Sequence, residues 1–189
     1  IERGEVPEGY QKTKDGILPI NWDGVLCSAI AEIIDGDRSS NYPSEADIVA
    51  DGVLFLSSKN IKGDQIDFSE KRFITEAKFH SLKKGKLQAN DLIITMRGSI
   101  GNVVIFDGDE YKTAFINAQM SIVRPTKINP RFLWIYLNSE VIQSRLIKKS
   151  TGSAQQQLTK SDIANLKVLI PEKYELEKIV SILSEWDRA

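Results

Sequence analysis

The sequence predicts an α+β fold: a mainly β body with several helices, followed by a C-terminal amphipathic helix. Three observations carry this. Short apolar runs separated by Asp-Gly and glycine-rich turns recur through the first two-thirds of the chain. Helix-spaced apolar positions take over after residue 129, and an a/d seam fills the last stretch. The body is read as residues 1–170 and the start of the helix as 171–189.

Gly16-Ile17-Leu18-Pro19-Ile20-Asn21-Trp22 is a turn-forming stretch closing on a large aromatic. Val25 to Ile34 is apolar enough to be a buried helix or strand, and 35–43 is a polar loop. Val53-Leu54-Phe55-Leu56 is a short buried strand bracketed by Asp51-Gly52 and Gly63-Asp64, and a short helix is expected around Ala77 to Leu82. Asp91 to Met96 and Asn102 to Phe106 flank Arg97-Gly98-Ser99-Ile100-Gly101, the best hairpin in the chain. Phe115 to Arg124 partly alternates apolar and polar, as a half-buried strand does.

Asn129-Pro130 caps a helix whose face is Phe132, Leu133, Tyr136 and Leu137, and the pattern resumes at Val141, Ile142, Leu146 and Ile147. A basic, polar loop is expected from Lys148 to Leu158, then a short helix from Lys160 and a strand at 168–170 stopped by Pro171. In the last stretch Leu176, Ile179, Leu183 and Trp186 step by three, four and three, widened by Val180 and Ile182. That spacing also fits a coiled-coil arm, but the pattern alone favours an amphipathic helix packed on its own domain.

With 189 residues, 41% hydrophobic and 27% charged, the chain is large and apolar enough for a real core, which excludes a disordered or rod-like protein. No apolar run reaches the ~18–20 residues of a membrane span, and the first residues do not form a signal peptide. The start at Ile1 reads as a cut. One Cys (Cys27) and one His (His80) leave no internal disulfide framework, fit a reducing cytoplasm, and argue against zinc and Ser-His-Asp or Cys-His catalysis. Arg97 to Gly101 lacks the Lys-Ser/Thr of a phosphate-binding loop, and no Gly-x-Gly-x-x-Gly occurs.

The formal charge of −1 hides a pattern. Residues 59–97 hold nine basic and five acidic side chains, net +4, and residues 124–160 hold seven and one, net +6. Two such blocks can give a polyanion the local positive face it needs. The side chains that read base edges, Arg, Lys, Asn and Gln, cluster in segments that follow or interrupt apolar elements. Candidate DNA contacts are Lys59, Asn60, Arg97, Ser99, Asn117, Gln119, Ser153, Gln155 and Gln156, with Lys148, Lys149 and Lys160 as phosphate anchors.

The order of segments resembles the DNA specificity (S) subunit of type I restriction-modification systems, the HsdS family. The resemblance rests on Gly16-x-Leu18-Pro19-x-x-Trp22, Gly36-Asp37, and Gly52 to Leu56 running into Ser57-Ser58-Lys59-Asn60-Ile61. It continues through Leu87 to Thr95 with Arg97 to Gly101, Phe132 to Leu137, Thr151 to Leu158, and Leu166 to Pro171. One departure is Tyr174 to Ile179, where members usually carry a Glu-Gln pair before the isoleucine.

The resemblance implies one non-catalytic target recognition domain, half of a subunit, that reads duplex DNA from the major groove. It further implies methyltransferase and restriction subunits as partners, which carry S-adenosylmethionine, ATP and Mg, with no cofactor and no metal in this chain. Under the resemblance the last stretch is the start of a long, truncated coiled-coil spacer helix, whose seam Leu176, Ile179, Leu183 and Trp186 would pair with a second helix, in the same subunit or in a second copy. Two other readings remain: the recognition domain of a single-chain type II restriction-methyltransferase, and a protein-interaction adaptor docking through its last helix.

Overall fold

The computed structural model describes residues 6–13, 16–150 and 156–186, the last of these without its side chain. It holds several sheets and six α-helices among the described residues, in agreement with a mixed α and β fold. The chain divides into two compact units, residues 1–26 with 167–189, and residues 27–166.

The larger unit is built on two sheets. One has four antiparallel strands in the order Val103–Phe106, Asp91–Thr95, Met120–Pro125 and Ala31–Asp35. The other has five, in the order Lys86–Leu87, Ala114–Ile116, Val53–Leu56, Phe73–Ile74 and Ile48–Val49. Its central pair, Val53–Leu56 with Ala114–Ile116, runs parallel, so both strands end on the same side.

Val53–Leu56 reads as an unbroken apolar run because both of its faces are buried. Leu54 and Leu56 join Ile93, Val104, Phe106 and Ile122 in one core, while Val53 and Phe55 join Ile74, Phe79 and Phe115 in another. The period of two along the strand makes this division. The expected 91–106 hairpin forms, with Asp91 opposite Phe106, and so do the helices Glu76–Ser81, Pro130–Asn138, Glu140–Ser150 and Lys160–Ala164. Asn129 caps Pro130–Asn138 by accepting from the Arg131 and Phe132 amides, and Thr159 with Asp162 makes a capping box for Lys160–Ala164.

Three expectations are corrected. Val25 to Ile34 is neither one helix nor one strand: it divides into the strand Asp23–Leu26, one helical turn Cys27–Ile30, and the strand Ala31–Asp35. The first piece belongs to the smaller unit and the other two to the larger, so uniform apolar character hides a passage between two bodies. Phe115 to Arg124 is two strands in different sheets, broken at Asn117-Ala118-Gln119, where Asn117 Oδ1 accepts from the Gln119 amide at 3.1 Å. Asparagine side chains offer the backbone this kind of turn. Lys148 and Lys149 lie in the last turn of helix Glu140–Ser150 rather than in a loop, where cations favour a helix C-terminus.

The smaller unit joins the hairpin Tyr10–Thr13 with Gly16–Pro19, the antiparallel pair Asp23–Leu26 with Lys167–Ile170, and helix Lys173–Trp186. Trp22 Nε1 donates to Glu175 Oε2 at 2.9 Å, which ties the chain before residue 26 to that helix. Leu176, Ile179 and Leu183 are half-buried along it, and Tyr174 and Ile182 are exposed. No helix among the described residues is long and apolar enough to cross a membrane.

Candidate nucleic-acid interface

Strand direction gathers the polar segments at one edge of the larger unit. Val53–Leu56 and its parallel neighbour end together, Leu56 opposite Ile116, and the Asn117 amide donates to the Leu56 carbonyl at 2.9 Å. Segments 57–60 and 117–119 therefore emerge side by side. In the four-stranded sheet, Asp91–Thr95 ends where Met120–Pro125 begins, and Ala31–Asp35 ends beside the same residues. Met96 is held from both sides: its amide donates to the Gln119 carbonyl at 2.8 Å, and its carbonyl accepts from the Leu158 amide at 2.9 Å. That places 36–38, 57–60, 96–99, 117–119 and 156–158 along one rim.

Lys59, Asn60, Asn117 and Gln119 line a cavity of about 580 Å³. Across it Ser58 Oγ donates to Gln119 Oε1 at 2.7 Å, joining residues 61 apart in sequence. Lys59 and Gln119 are exposed. Asn60 has a different task. Its Oδ1 accepts from the Ser57 amide and hydroxyl at 3.0 and 3.1 Å, and its Nδ2 donates to the Asp67 and Glu70 carbonyls at 3.1 and 2.9 Å. Every donor and acceptor of that amide is engaged, so Asn60 shapes the loop and has nothing left for a base. Asn117 likewise uses its Oδ1 within its own turn.

The cavity is mixed in charge. Lys59, Lys62 and Arg72 line it with Asp67 and Glu70, and Arg72 is occupied by Glu45 through Nη2 contacts of 2.8 and 2.9 Å. Hydrogen bonds from the Ser69 hydroxyl and amide hold the Asp67 carboxyl below the usual range.

Arg97 and Ser99 sit at the tip of the hairpin and are exposed. Gly98 and Gly101 adopt φ of 77° and 88°, the left-handed region such a reversal requires. Thr95 Oγ1 donates to the Ser99 carbonyl and accepts from the Asn102 amide, closing the turn from within. Arg97 Nε donates to Gln157 Oε1 at 2.9 Å, a link over 60 residues. Gln156 is exposed beside it, while Ser153 and Gln155 lie outside the described residues.

Helix Glu140–Ser150 packs on the same turn, where Gln143 Nε2 donates to the Gly101 carbonyl at 2.9 Å. Lys148 and Lys149 follow one to two turns later, and Lys160 opens the next helix. Lys149 approaches Asp162 at 3.8 Å. Burial raises the Asp162 carboxyl pKa, but the Thr159 hydroxyl and amide, with Lys149, bring it below its ordinary value.

Sequence reasoning missed several rim residues. Arg38 Nη2 donates to the Ala118 carbonyl at 3.0 Å. Asp37, only 3% exposed, accepts from the Ser39 amide at 2.7 Å and the Lys83 amide at 3.0 Å. Burial pushes its carboxyl up, but hydrogen bonds from Ser39, Lys83 and Lys84 outweigh it and hold the pKa at about 2. The Asp-x-Ser turn is visible in sequence; the partner 46 residues away is not. Among the described residues no group of three or more His, Cys, Asp or Glu is arranged to hold a metal ion.

A family model described as the type I restriction modification DNA specificity domain matches residues 29–189. The chain is 26% identical over 170 residues to the EcoBI type I restriction enzyme specificity subunit of Escherichia coli, covering 87% of this chain and 34% of that protein. It is 22% identical over 185 residues to the MjaVIII specificity subunit of Methanocaldococcus jannaschii, covering 95% and 43%. The crystal structure of an HsdS subunit from Thermoanaerobacter tengcongensis superposes with a TM-score of 0.66 at 19% identity, over 96% of this chain and 41% of that one. The chain thus spans about two-fifths of the length of these relatives. On a match running from residue 29 to residue 189, the chain belongs to the type I restriction modification DNA specificity domain family.

Proposed function

We propose that the chain is a target recognition domain that reads duplex DNA with the rim described above, and that it directs methylation and restriction carried out by partner subunits. One observation carries this reading: the clamp of Ser58 on Gln119 and Arg97 on Gln157, with Met96 bonded between Gln119 and Leu158. Four segments far apart in sequence are thereby held as one rigid polar edge, the preorganisation a reader of base edges needs. Lys59, Arg97, Ser99, Gln119 and Gln156 are the proposed base or phosphate contacts. Asn60 and Asn117 support the loops that carry them.

Lys148, Lys149 and Lys160 act as phosphate anchors in this reading, with Asp162 3.8 Å from Lys149. The domain is non-catalytic, works in the cytoplasm, and leaves S-adenosylmethionine, ATP and Mg to the methyltransferase and restriction subunits. Helix Lys173–Trp186 begins the coiled-coil spacer, its Leu176, Ile179, Leu183 and Trp186 pairing with a second helix in the same subunit or in a second copy.

The test is fluorescence anisotropy of the chain with random duplexes at low and moderate salt. Affinity should fall steeply with salt, and changing Lys148, Lys149 and Lys160 to Ala should reduce the slope of log K against log salt by about two to three. Binding of duplexes that is insensitive to salt, or unchanged in the triple variant, would refute the anchors and favour the adaptor reading.

A further inference from the structure

Arginine is donor-only, with five N–H groups in a planar fork. In Arg97 one of them is already committed: Nε faces Gln157 Oε1 at 2.9 Å, and because arginine has no acceptor, the amide must present its oxygen there. Among the described residues the two terminal NH₂ groups have no hydrogen-bond partner, which leaves an end-on pair on an exposed side chain. Both partners of the contact are anchored. Arg97 follows Met96, whose amide and carbonyl are bonded to Gln119 and Leu158, and Gln157 precedes Leu158, which is 3% exposed. The fold therefore restrains the guanidinium before any ligand arrives.

Resting on the DNA-reading role, we infer that Arg97 reads a guanine in the major groove and that Gln157 is its positioning residue. Guanine presents two adjacent acceptors, O6 and N7, to which an end-on arginine pair donates both hydrogens. Adenine presents N7 beside an N6 donor, so one of the two arginine hydrogens would meet another donor. A phosphate imposes no such choice, since any rotamer of a flexible arginine can reach one.

The experiment is selection of bound sequences from a random duplex pool at low salt by the full chain, compared with Arg97→Ala, Gln157→Leu and Gln157→Glu. The unmodified chain should enrich a motif containing a guanine. Arg97→Ala should lower the preference for that guanine over adenine by about ten- to a hundredfold, with the other positions kept. Gln157→Leu should weaken the same position by about two- to tenfold through lost ordering of the side chain. Gln157→Glu should preserve it, because a carboxylate accepts the same Nε hydrogen, and a purely structural clasp would not move one base alone. An unchanged guanine preference, a loss spread evenly over all positions, or bound duplexes without any motif would each overturn the inference while leaving DNA binding in place. Failure of the unmodified chain to retain duplexes at low salt would overturn the DNA-reading role itself.

Discussion

Asp37 sits where the 36–41 segment meets the 83–85 segment, and replacing it by Asn tests how the rim is held. The carboxylate accepts from the Ser39 amide through Oδ1 and from the Lys83 amide through Oδ2. A carboxyl moved from 3.8 to about 2 contributes about 2 kcal/mol to folding at neutral pH. Asn removes the charge and turns one acceptor into a donor facing an amide, so Asp37→Asn should cost about 2–3 kcal/mol at pH 7. Because the folded-state pKa lies below the unfolded one, the carboxylate's contribution is complete above about pH 5. It falls to roughly half by about pH 3 and is nearly lost at about pH 2. Urea unfolding followed by circular dichroism at pH 7 and pH 3 measures the gap between parent and variant at each. A gap of the same size at both pH values, or a negligible gap at pH 7, would refute the account of Asp37.

Gly36→Ala should cost about 1–3 kcal/mol and weaken duplex binding, because a Cβ there would stand 2.5 Å from the Asn117 carbonyl oxygen and 3.0 Å from Ala118 Cα, both backbone. Melting temperature and anisotropy check the two effects. Asp91→Ala should cost about 3 kcal/mol in urea unfolding, since the buried carboxylate meets Arg124 Nε and Nη2 at 2.8 Å each. Adding Arg124→Met to it should recover a large part of that loss, as no uncompensated cation remains. Trp22→Phe removes the hydrogen bond to Glu175 and should cost about 1 kcal/mol, seen as roughly fivefold faster amide exchange in residues 173–186 with the 91–106 hairpin unaffected.

What could be read from sequence was local. The 91–106 hairpin announced itself through two apolar runs around two glycines, and the helices at 130 and 160 through their caps, because turn and capping chemistry involves neighbours in sequence. The break at Asn117 to Gln119 was hidden since Asn-Ala-Gln continues the polar and apolar alternation of the strands on either side. The parallel pairing of Val53–Leu56 with Ala114–Ile116, which creates the rim, joins residues about sixty apart and leaves no local trace.

The same limit governs the site. Polar segments at strand ends pointed to Lys59, Arg97 and Gln119, but composition cannot distinguish a side chain offered to a ligand from one saturated by its own loop. Asn60 is the second kind, closed off by Ser57, Asp67 and Glu70. Arg38 and Gln157 show the converse: each acts through a partner 80 or 60 residues away.

In the proposed function, the 96–99 and 117–119 end of the larger unit faces DNA. A photoreactive benzophenone side chain at Gln119 and, separately, at Lys127 tests it, because these exposed residues flank the two ends of strand Met120–Pro125. Irradiation with a duplex pool at low salt should crosslink DNA from position 119 and leave position 127 uncoupled. Crosslinking from 127 alone, or equally from both, would contradict the assignment of that end as the DNA-reading edge.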